Sequence, residues 1–148
     1  REMYDYRMRK EIADREKHRA AGTLGDRDVK TEQAIEHFDR GFSLLMEGDT
    51  ERALPFLARA VHFDPKNARF RAYYGKALST DETQRHKAES EMQAAVRIDP
   101  DNPTYRIMLA EFFIQNNLLK RAEGELKRLL DIFPSNREAS KLLDSLKQ

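Results

Sequence analysis

The sequence predicts an all-α fold, a solenoid of antiparallel helix hairpins, from three observations. A turn phrase containing Pro-x-Asn recurs at intervals of 35 and 34 residues, and an alanine stands twelve residues before each of its prolines. Apolar residues keep a helical period from about residue 31 to the end. A whole unit that repeats at this length is typical of stacked helical hairpins. The prolines are Pro65, Pro100 and Pro134, and the alanines are Ala53, Ala88 and Ala122.

The charge composition argues against a nucleic-acid partner. Charged residues make up 36% of the chain, yet the formal net charge is only +1. Both signs are interspersed along the sequence, and no basic stripe of the kind that neutralises phosphates is present. We therefore expect no nucleic-acid binding.

The chain has no cysteine, which excludes disulfides, thiolate catalysis and thiolate metal sites. Its apolar runs are only a few residues long, so we predict no membrane-spanning segment and no membrane partner. The sequence carries no signal peptide, and we expect a cytoplasmic protein. Because the chain starts at Arg1 rather than at a methionine, we expect it to be a piece of a longer protein.

Residues 1–30 are predicted to form a charged, partly helical N-terminal extension and linker. Tyr4, Met8 and Ile12 lie four residues apart, so a helix would place them on one narrow stripe. Residues 22–26 interrupt this pattern, as a linker does. Asp28 or Thr31 is then available to cap the next helix.

Residues 31–148 are predicted to form one repeat domain. Two helices joined by a short turn must lie antiparallel, and Gly48 stands where the first such turn needs a left-handed residue. A half-polar helix after the last proline would close the exposed end of the core. The predicted hairpins take residues 34–67, 68–102 and 103–136, and the cap helix takes 137–148.

The hairpins resemble the tetratricopeptide repeat family, in which small residues at fixed positions let neighbouring helices approach closely. Three registers of the sequence match this pattern. In the first helices the matching small residues are Gly41, Gly75 and Ala110. The departures are His37, Arg71 and Arg106, where the family prefers an aromatic residue, and Leu129, which replaces the third repeat alanine and would fill space against the cap helix.

The resemblance implies a right-handed superhelix whose first helices line a concave groove for a peptide, a helix or another protein. Members that hold the acidic C-terminal tail of Hsp70 or Hsp90 use a clamp of lysine, asparagine and arginine side chains. A carboxylate at the matching positions here would lose its hydration and find few donors, so we expect no such clamp. Those positions are Phe38, Phe42, Tyr73, Thr104 and Met108.

Projection of the repeat register predicts an apolar partner-binding groove. Aromatic and methionine side chains with charges around them suit an amphipathic helix or an extended apolar segment. Two other interpretations stay open: Phe38 and Phe42 are ordinary hairpin core, or the stripe of Tyr4, Met8 and Ile12 folds back over them. The predicted groove residues are Phe38, Phe42, Met46, Arg69, Tyr73, Lys76, Ile107, Met108 and Glu111.

The sequence contains no pattern of an enzyme. Its four histidines lack a metal-ligand spacing and are expected on the surface, the glycines form no phosphate-binding run, and no serine or threonine is framed as a nucleophile. We therefore predict no catalytic residue, no metal and no cofactor. The predicted function is a protein-protein interaction module. The alternative is a structural region of a larger signalling or co-chaperone-like protein, in which the array self-associates as a homo-oligomer.

Overall fold

The computed structural model describes residues 2–21 and 26–147, with side chains described at 6–15 and 29–147. No strand occurs in this part of the chain, so the fold is all-α as predicted. A short 3₁₀ helix at Glu82–Gln84 takes up the extra residue of the second unit. The α-helices are α1 (Glu2–Ala21), α2 (Asp26–Met46), α3 (Thr50–Phe63), α4 (Ala68–Leu78), α5 (Arg85–Ile98), α6 (Pro103–Gln115), α7 (Leu119–Ile132) and α8 (Arg137–Ser145).

Helices α2 to α7 pair into three hairpins, α2 with α3, α4 with α5 and α6 with α7. Small residues set the distance between the two helices of a hairpin. A methyl group on Gly41 would lie 2.7 Å from Cγ of Leu57, and one on Gly75 would lie 2.8 Å from Cγ of Met92. The close approach predicted from the repeat pattern is therefore confirmed. The repeated alanines of the second helices are all fully buried: Ala53, Ala88 and Ala122.

The recurring turn phrase starts the helix that follows it. In each copy the asparagine side chain accepts a hydrogen bond from a backbone N–H of the new helix, at 3.1, 3.0 and 2.9 Å. Such a cap satisfies donors that the first helical turn leaves without a partner. Asn102 also donates to Asp99 Oδ2 at 3.2 Å, which braces the turn from within. The capping residues are Asn67, Asn102 and Asn136.

The turns inside the first and third hairpins use left-handed residues. Gly48 has φ of 88°, as its position after α2 predicts, and Asn117 has φ of 59° at the matching place after α6. Glycine adopts this region without steric cost and asparagine tolerates it. These residues turn the chain back so that the second helix packs on the first.

Helix α2 is longer at its start than the sequence predicts. It begins at Asp26, so Asp28 and Thr31 lie inside the helix and not at its N-terminus. The added turns are mostly polar, and Val29 is 57% exposed, so no apolar stripe marks them. Acidic residues in the first turn suit a helix N-terminus, and Arg27 and Lys30 have good helix propensity. The rest of the predicted linker, residues 22–25, lies outside the described residues.

The core runs along the array and continues beneath α8. Phe70, Phe112 and Phe113 are at most 1% exposed. Leu129 packs in the last part of the core with Ala139 of α8, so it fills the space against the cap helix as predicted. Among the described helices, none has the length and apolar character needed to cross a membrane.

Candidate partner-binding groove

The first helices of the hairpins lie side by side, since α4 contacts both α2 and α6. Their shared face carries eight of the nine predicted groove residues. Ile107, the ninth, is 1% exposed and packs with Leu126 and Leu129 in the core, so it lies away from this face. From here on, "the groove" means the face formed by Phe38, Phe42, Met46, Arg69, Tyr73, Lys76, Met108 and Glu111.

Aromatic rings form the floor of the groove between α2 and α4. Phe38 stacks on Phe70 at 4.7 Å and on Phe42 at 5.5 Å, and the Phe42 ring meets Tyr73 edge-on at 5.1 Å between centroids. Phe38 is only 2% exposed and therefore belongs to the hairpin core as well. Phe42 is half-buried and presents its free part to the groove. The guanidinium of Arg69 lies 4.8 Å from the centre of the Phe38 ring, a cation–π contact.

Two pockets open along the groove. The first has a volume of about 380 Å³ and lies above Phe38, Phe42 and Met46. The second has a volume of about 440 Å³ and lies between Met46, Lys76 and Met108, at the far end of the first helices. Met46 lines both pockets and is 38% exposed. Methionine side chains adapt to the shape of what they contact, so this face can accept apolar groups of different outline.

Helix α1 lies across the groove and contacts α4 at its centre. The Arg69 guanidinium donates a hydrogen bond of 2.5 Å to the backbone carbonyl of Glu11, and the Tyr73 hydroxyl donates to the Glu11 carboxylate. Arg69 is 7% exposed and Tyr73 is 5% exposed, so both donors are buried groups that find their acceptors in this helix. Buried polar groups of this kind are costly to leave unpaired.

Ion pairs hold α1 at both ends of the groove. Arg15 pairs with Asp39 of α2 at 3.2 Å, and Arg7 pairs with Glu138 of α8 at 2.6 Å. Helix α1 thus runs from the first helix of the array to the last. None of these contacts joins neighbours in sequence, so the docking is a tertiary contact.

Met8 and Ile12 of α1 face Phe38 and Phe42 across the first pocket. The sequence left open that this stripe folds back over the two phenylalanines, and the structure places its members Met8 and Ile12 there. The third residue of the stripe, Tyr4, has its side chain outside the described residues. The apolar contact is loose, because Ile12 stays 38% exposed above a pocket of about 380 Å³.

Burial shifts the pKa of both side chains in the hydrogen bond between Tyr73 and Glu11. It raises the pKa of Glu11, while the Tyr73 hydroxyl and the positive charges of Arg69, Arg7 and Lys76 act in the opposite direction. Burial also raises the pKa of Tyr73, so the phenol keeps its proton and serves as the donor.

The sequence interpretation missed Glu11 and Arg15 as contact residues. Both stand in a segment where twelve of the first twenty residues are charged, so periodicity gave no reason to select them. One signal was available for Glu11, because it follows Met8 by three residues and therefore lies on the same side of a helix. No pattern in the sequence paired Arg15 with Asp39.

Within the described residues, no group of three histidine, cysteine, aspartate or glutamate side chains is placed to hold a metal ion. His62 and His86 are exposed as expected. His37 is half-buried instead, because its ring stacks on Phe63 at 5.7 Å. It acts as an aromatic packing residue, and the side chain of His18 lies outside the described residues.

The comparisons with known proteins agree with this architecture. The sequence model of the tetratricopeptide repeat family matches residues 79–146. The chain matches none of the curated protein sequences. The second tetratricopeptide repeat domain of human RPAP3, solved with an HSP70 peptide, has the same fold with a TM-score of 0.71 at 24% identity, over 80% of this chain and 98% of that one.

Two further solved structures share the fold at lower identity. The tetratricopeptide repeat domain of Arabidopsis OM64 has a TM-score of 0.71 at 18% identity, over 80% of this chain and 97% of that one. The Yersinia enterocolitica secretion chaperone SycD, solved with a peptide of the translocator YopD, has a TM-score of 0.65 at 19% identity. The match covers 76% of this chain and 90% of that one. Residues 79–146 therefore belong to the tetratricopeptide repeat family, as the sequence predicts, and the chain shares the fold of these solved domains over about four fifths of its length.

Proposed function

We propose that the chain is a protein-interaction module whose groove binds a helix or peptide of a partner protein. The observation that carries this proposal is that the groove already accommodates a helical segment, α1, through apolar and hydrogen-bonding contacts together. A helix laid in an apolar groove is a common mode of peptide recognition. The partner segment is expected to be amphipathic, with apolar side chains for the two pockets.

The solved relatives support peptide binding as a use of this fold. The RPAP3 domain was solved with an HSP70 peptide, and SycD was solved with a peptide of YopD. At 24% and 19% identity they share the architecture of this chain, and their peptides need not be its own. We therefore carry over the class of ligand, a peptide, and derive its chemistry from the residues of this groove.

The groove chemistry favours an apolar ligand over a terminal carboxylate. Phe38, Phe42 and Tyr73 form a continuous ring cluster at positions where the resemblance leads one to look for clamp residues. Met108, at another such position, lines the second pocket. Phenylalanine and methionine side chains supply large contact areas for apolar groups but no donors for a carboxylate, and the buried donors Arg69 and Tyr73 already bind Glu11. We propose that binding, without catalysis, is the activity of this region.

Selection of short displayed peptides against the whole chain tests the proposal. Peptides that bind should contain spaced apolar residues and should lose about tenfold or more of their affinity to a Met46→Glu variant. The matched control is Ile132→Glu, which places the same charge at the end of α7 on a side chain that is 46% exposed. Binding that is unchanged by Met46→Glu, or equally weakened by Ile132→Glu, would contradict the proposal.

The same variants separate peptide binding from self-association. Sedimentation equilibrium gives the mass of the chain as its concentration rises. A mass that doubles for the parent chain and for Ile132→Glu, but not for Met46→Glu, would show that the groove binds a second copy. That outcome would replace the proposed module by the structural alternative.

A further inference from the structure

We infer that α1 is an intramolecular ligand of the groove, and that the partner is a helix of the same kind that binds by taking the place of α1. This inference rests on the proposed function and names both its partner class and its regulation. The partner helix is expected to carry two apolar side chains four residues apart, as Met8 and Ile12 are. A hydrogen-bond acceptor should stand between them, in the position of Glu11.

Two buried hydrogen-bond donors of the groove, Arg69 and Tyr73, find acceptors in α1. Arg69 donates to the Glu11 carbonyl and Tyr73 to its carboxylate, although both donors sit on α4, some sixty positions away in the chain. Leaving a buried donor unpaired costs free energy that no apolar contact replaces. An incoming helix must therefore offer the same acceptors that α1 offers.

Helix α1 is held loosely against the groove. Ile12 is 38% exposed and Tyr6 is 58% exposed, while a pocket of about 380 Å³ lies under Met8 and Ile12. Helices that belong permanently to a core interdigitate and leave few spaces larger than a water molecule. A segment with this much unfilled space beneath it opens at lower cost than the hairpins do.

The acceptor that α1 offers to Tyr73 need not be charged. Burial raises the pKa of Glu11, so a negative charge is disfavoured there although the surrounding cations oppose the effect. A neutral acceptor of the same shape would meet the Tyr73 hydroxyl without losing the hydration of a charge. The partner helix can therefore carry glutamine or glutamate at this position, but alanine would leave Tyr73 without an acceptor.

The short connection between α1 and α2 makes α1 a strong competitor of any partner helix. Ala21 and Asp26 are separated by four residues, so α1 is presented to the groove at an effective concentration on the order of millimolar. The apparent affinity of a partner is reduced by the fraction of chains in which the groove is open. Any change that releases α1 is then expected to strengthen partner binding without altering a groove residue.

The test uses a fluorescently labelled peptide of residues 2–21 as the probe and the whole chain as the receptor. A Glu11→Lys receptor places a cation among Arg69, Arg7 and Lys76 and should release its own α1. The probe, which keeps Glu11, should bind this receptor about tenfold more tightly than the parent chain. An Ala13→Lys receptor, changed at an exposed position of α1, is the control and should bind like the parent.

Release itself is read from the Met8 methyl signal by nuclear magnetic resonance. The signal should move to its position in the free peptide in Glu11→Lys, and stay at the parent position in Ala13→Lys. Circular dichroism should show that the repeats remain folded in both variants. If Glu11→Lys leaves the Met8 signal unchanged while the probe binds all receptors equally, α1 does not compete and the inference fails.

Variants of the probe test the acceptor argument. A Glu11→Gln probe should bind the Glu11→Lys receptor at least as tightly as the parent probe, and a Glu11→Ala probe about tenfold more weakly. Equal binding of all three probes would overturn the partner class. If no probe binds but selected peptides do bind through Met46, the inference fails while the proposed function stands. If neither binds, the proposed function fails.

Discussion

Arg71 of α4 and Glu91 of α5 form an ion pair of 2.7 Å between the two helices of the second hairpin. The Arg71 side chain also donates from Nε to the carbonyl of Pro65 at 2.6 Å. One arginine thus fastens the preceding turn, the first helix and the second helix together. This position is one of the three where the family prefers an aromatic residue, and the charged residue links the two helices there.

The residues at the other two of these positions, Arg106 and His37, also link neighbouring elements, through different contacts. Arg106 pairs with Glu125 at 3.4 Å and donates to the Pro100 carbonyl at 3.3 Å, one unit after Arg71. In the first hairpin His37 stacks on Phe63. Each departure therefore links the first helix of its hairpin to the turn or helix beside it.

Substitution of Arg71 tests the strength of this link. Arg71→Met leaves the Glu91 carboxylate, which is 7% exposed, without its cation, and should lower the free energy of unfolding by about 2 kcal/mol. Arg71→Met with Glu91→Met removes both charges and should recover most of that loss. Urea unfolding of the two variants and of Glu91→Met alone completes the cycle. A double variant no more stable than Arg71→Met would contradict this account of the loss.

Two helical glycines should respond in opposite directions to the same change. A methyl group on Gly75 would lie 2.8 Å from Met92 Cγ and 3.0 Å from the Ala88 carbonyl oxygen, whereas one on Gly124 meets nothing within 4 Å. Gly75→Ala should destabilise the protein by roughly 1–2 kcal/mol through overpacking. Gly124→Ala should stabilise it by about 0.5–1 kcal/mol through helix propensity. Thermal unfolding of both variants gives the sign of each change in stability. A change in the same direction for both variants would contradict the account of overpacking at Gly75.

Two of the capping asparagines, Asn136 and Asn102, should respond differently to substitution by aspartate. Asn136→Asp keeps the oxygen that accepts from Ala139 and should change stability little, since a negative charge suits a helix N-terminus. Asn102→Asp brings a second carboxylate against Asp99 and loses the donor between them. It should therefore cost about 1–2 kcal/mol. Chemical denaturation compares them, and equal costs would show that the contact with Asp99 contributes nothing.

Docking of α1 should weaken as the pH rises. Burial raises the pKa of Glu11 above its ordinary value of 4.5, so the docked carboxyl holds its proton more tightly than the released one. The contribution of Glu11 to docking is therefore fully present below pH 4.5 and is lost as the pH rises through the raised pKa. The groups around this carboxyl are Arg7 on α1, Arg69, Tyr73 and Lys76 on α4, and Tyr105 on α6.

The Met8 methyl signal measures this dependence, because its position reports the docked fraction at each pH. The parent chain should show a smaller docked fraction at pH 8 than at pH 4. Glu11→Gln has no proton to lose and should remove the Glu11 part of the change. If the docked fraction changes with pH equally in the parent chain and in Glu11→Gln, the pH dependence belongs to groups other than Glu11.

The repeat architecture could be predicted because it depends on residues that act locally. Gly48 turns the chain by its own backbone freedom, and Asn67 caps a helix that starts at the next residue, so each is visible in the sequence alone. The small residue Gly75 recurs with the period of the unit and marks the close contact with Met92. Such requirements repeat in every hairpin and therefore reinforce one another.

The site could be predicted only in part, because groove and core share one periodicity. Met46 and Ile107 are both apolar residues on first helices, yet Met46 is 38% exposed and Ile107 is 1% exposed. The difference depends on what the neighbouring hairpin places against each side chain. The contact of Arg69 with Glu11 joins residues 58 positions apart in a charged segment, and no local rule selects that pair.

The two ion pairs at the ends of α1 have a mechanical consequence. Asp39 and Glu138 belong to the first and last helices of the array, and the stretch from Arg7 to Arg15 that bridges them is only about 12 Å long as a helix. Each repeat of a solenoid contacts only its neighbouring repeats, and the curvature of the array is the sum of the small rotations between them. Helix α1 spans the groove from the first helix of the array to the last. We therefore expect a docked α1 to connect the two ends of the array, and a partner helix with a different spacing of end charges to change the curvature of the array.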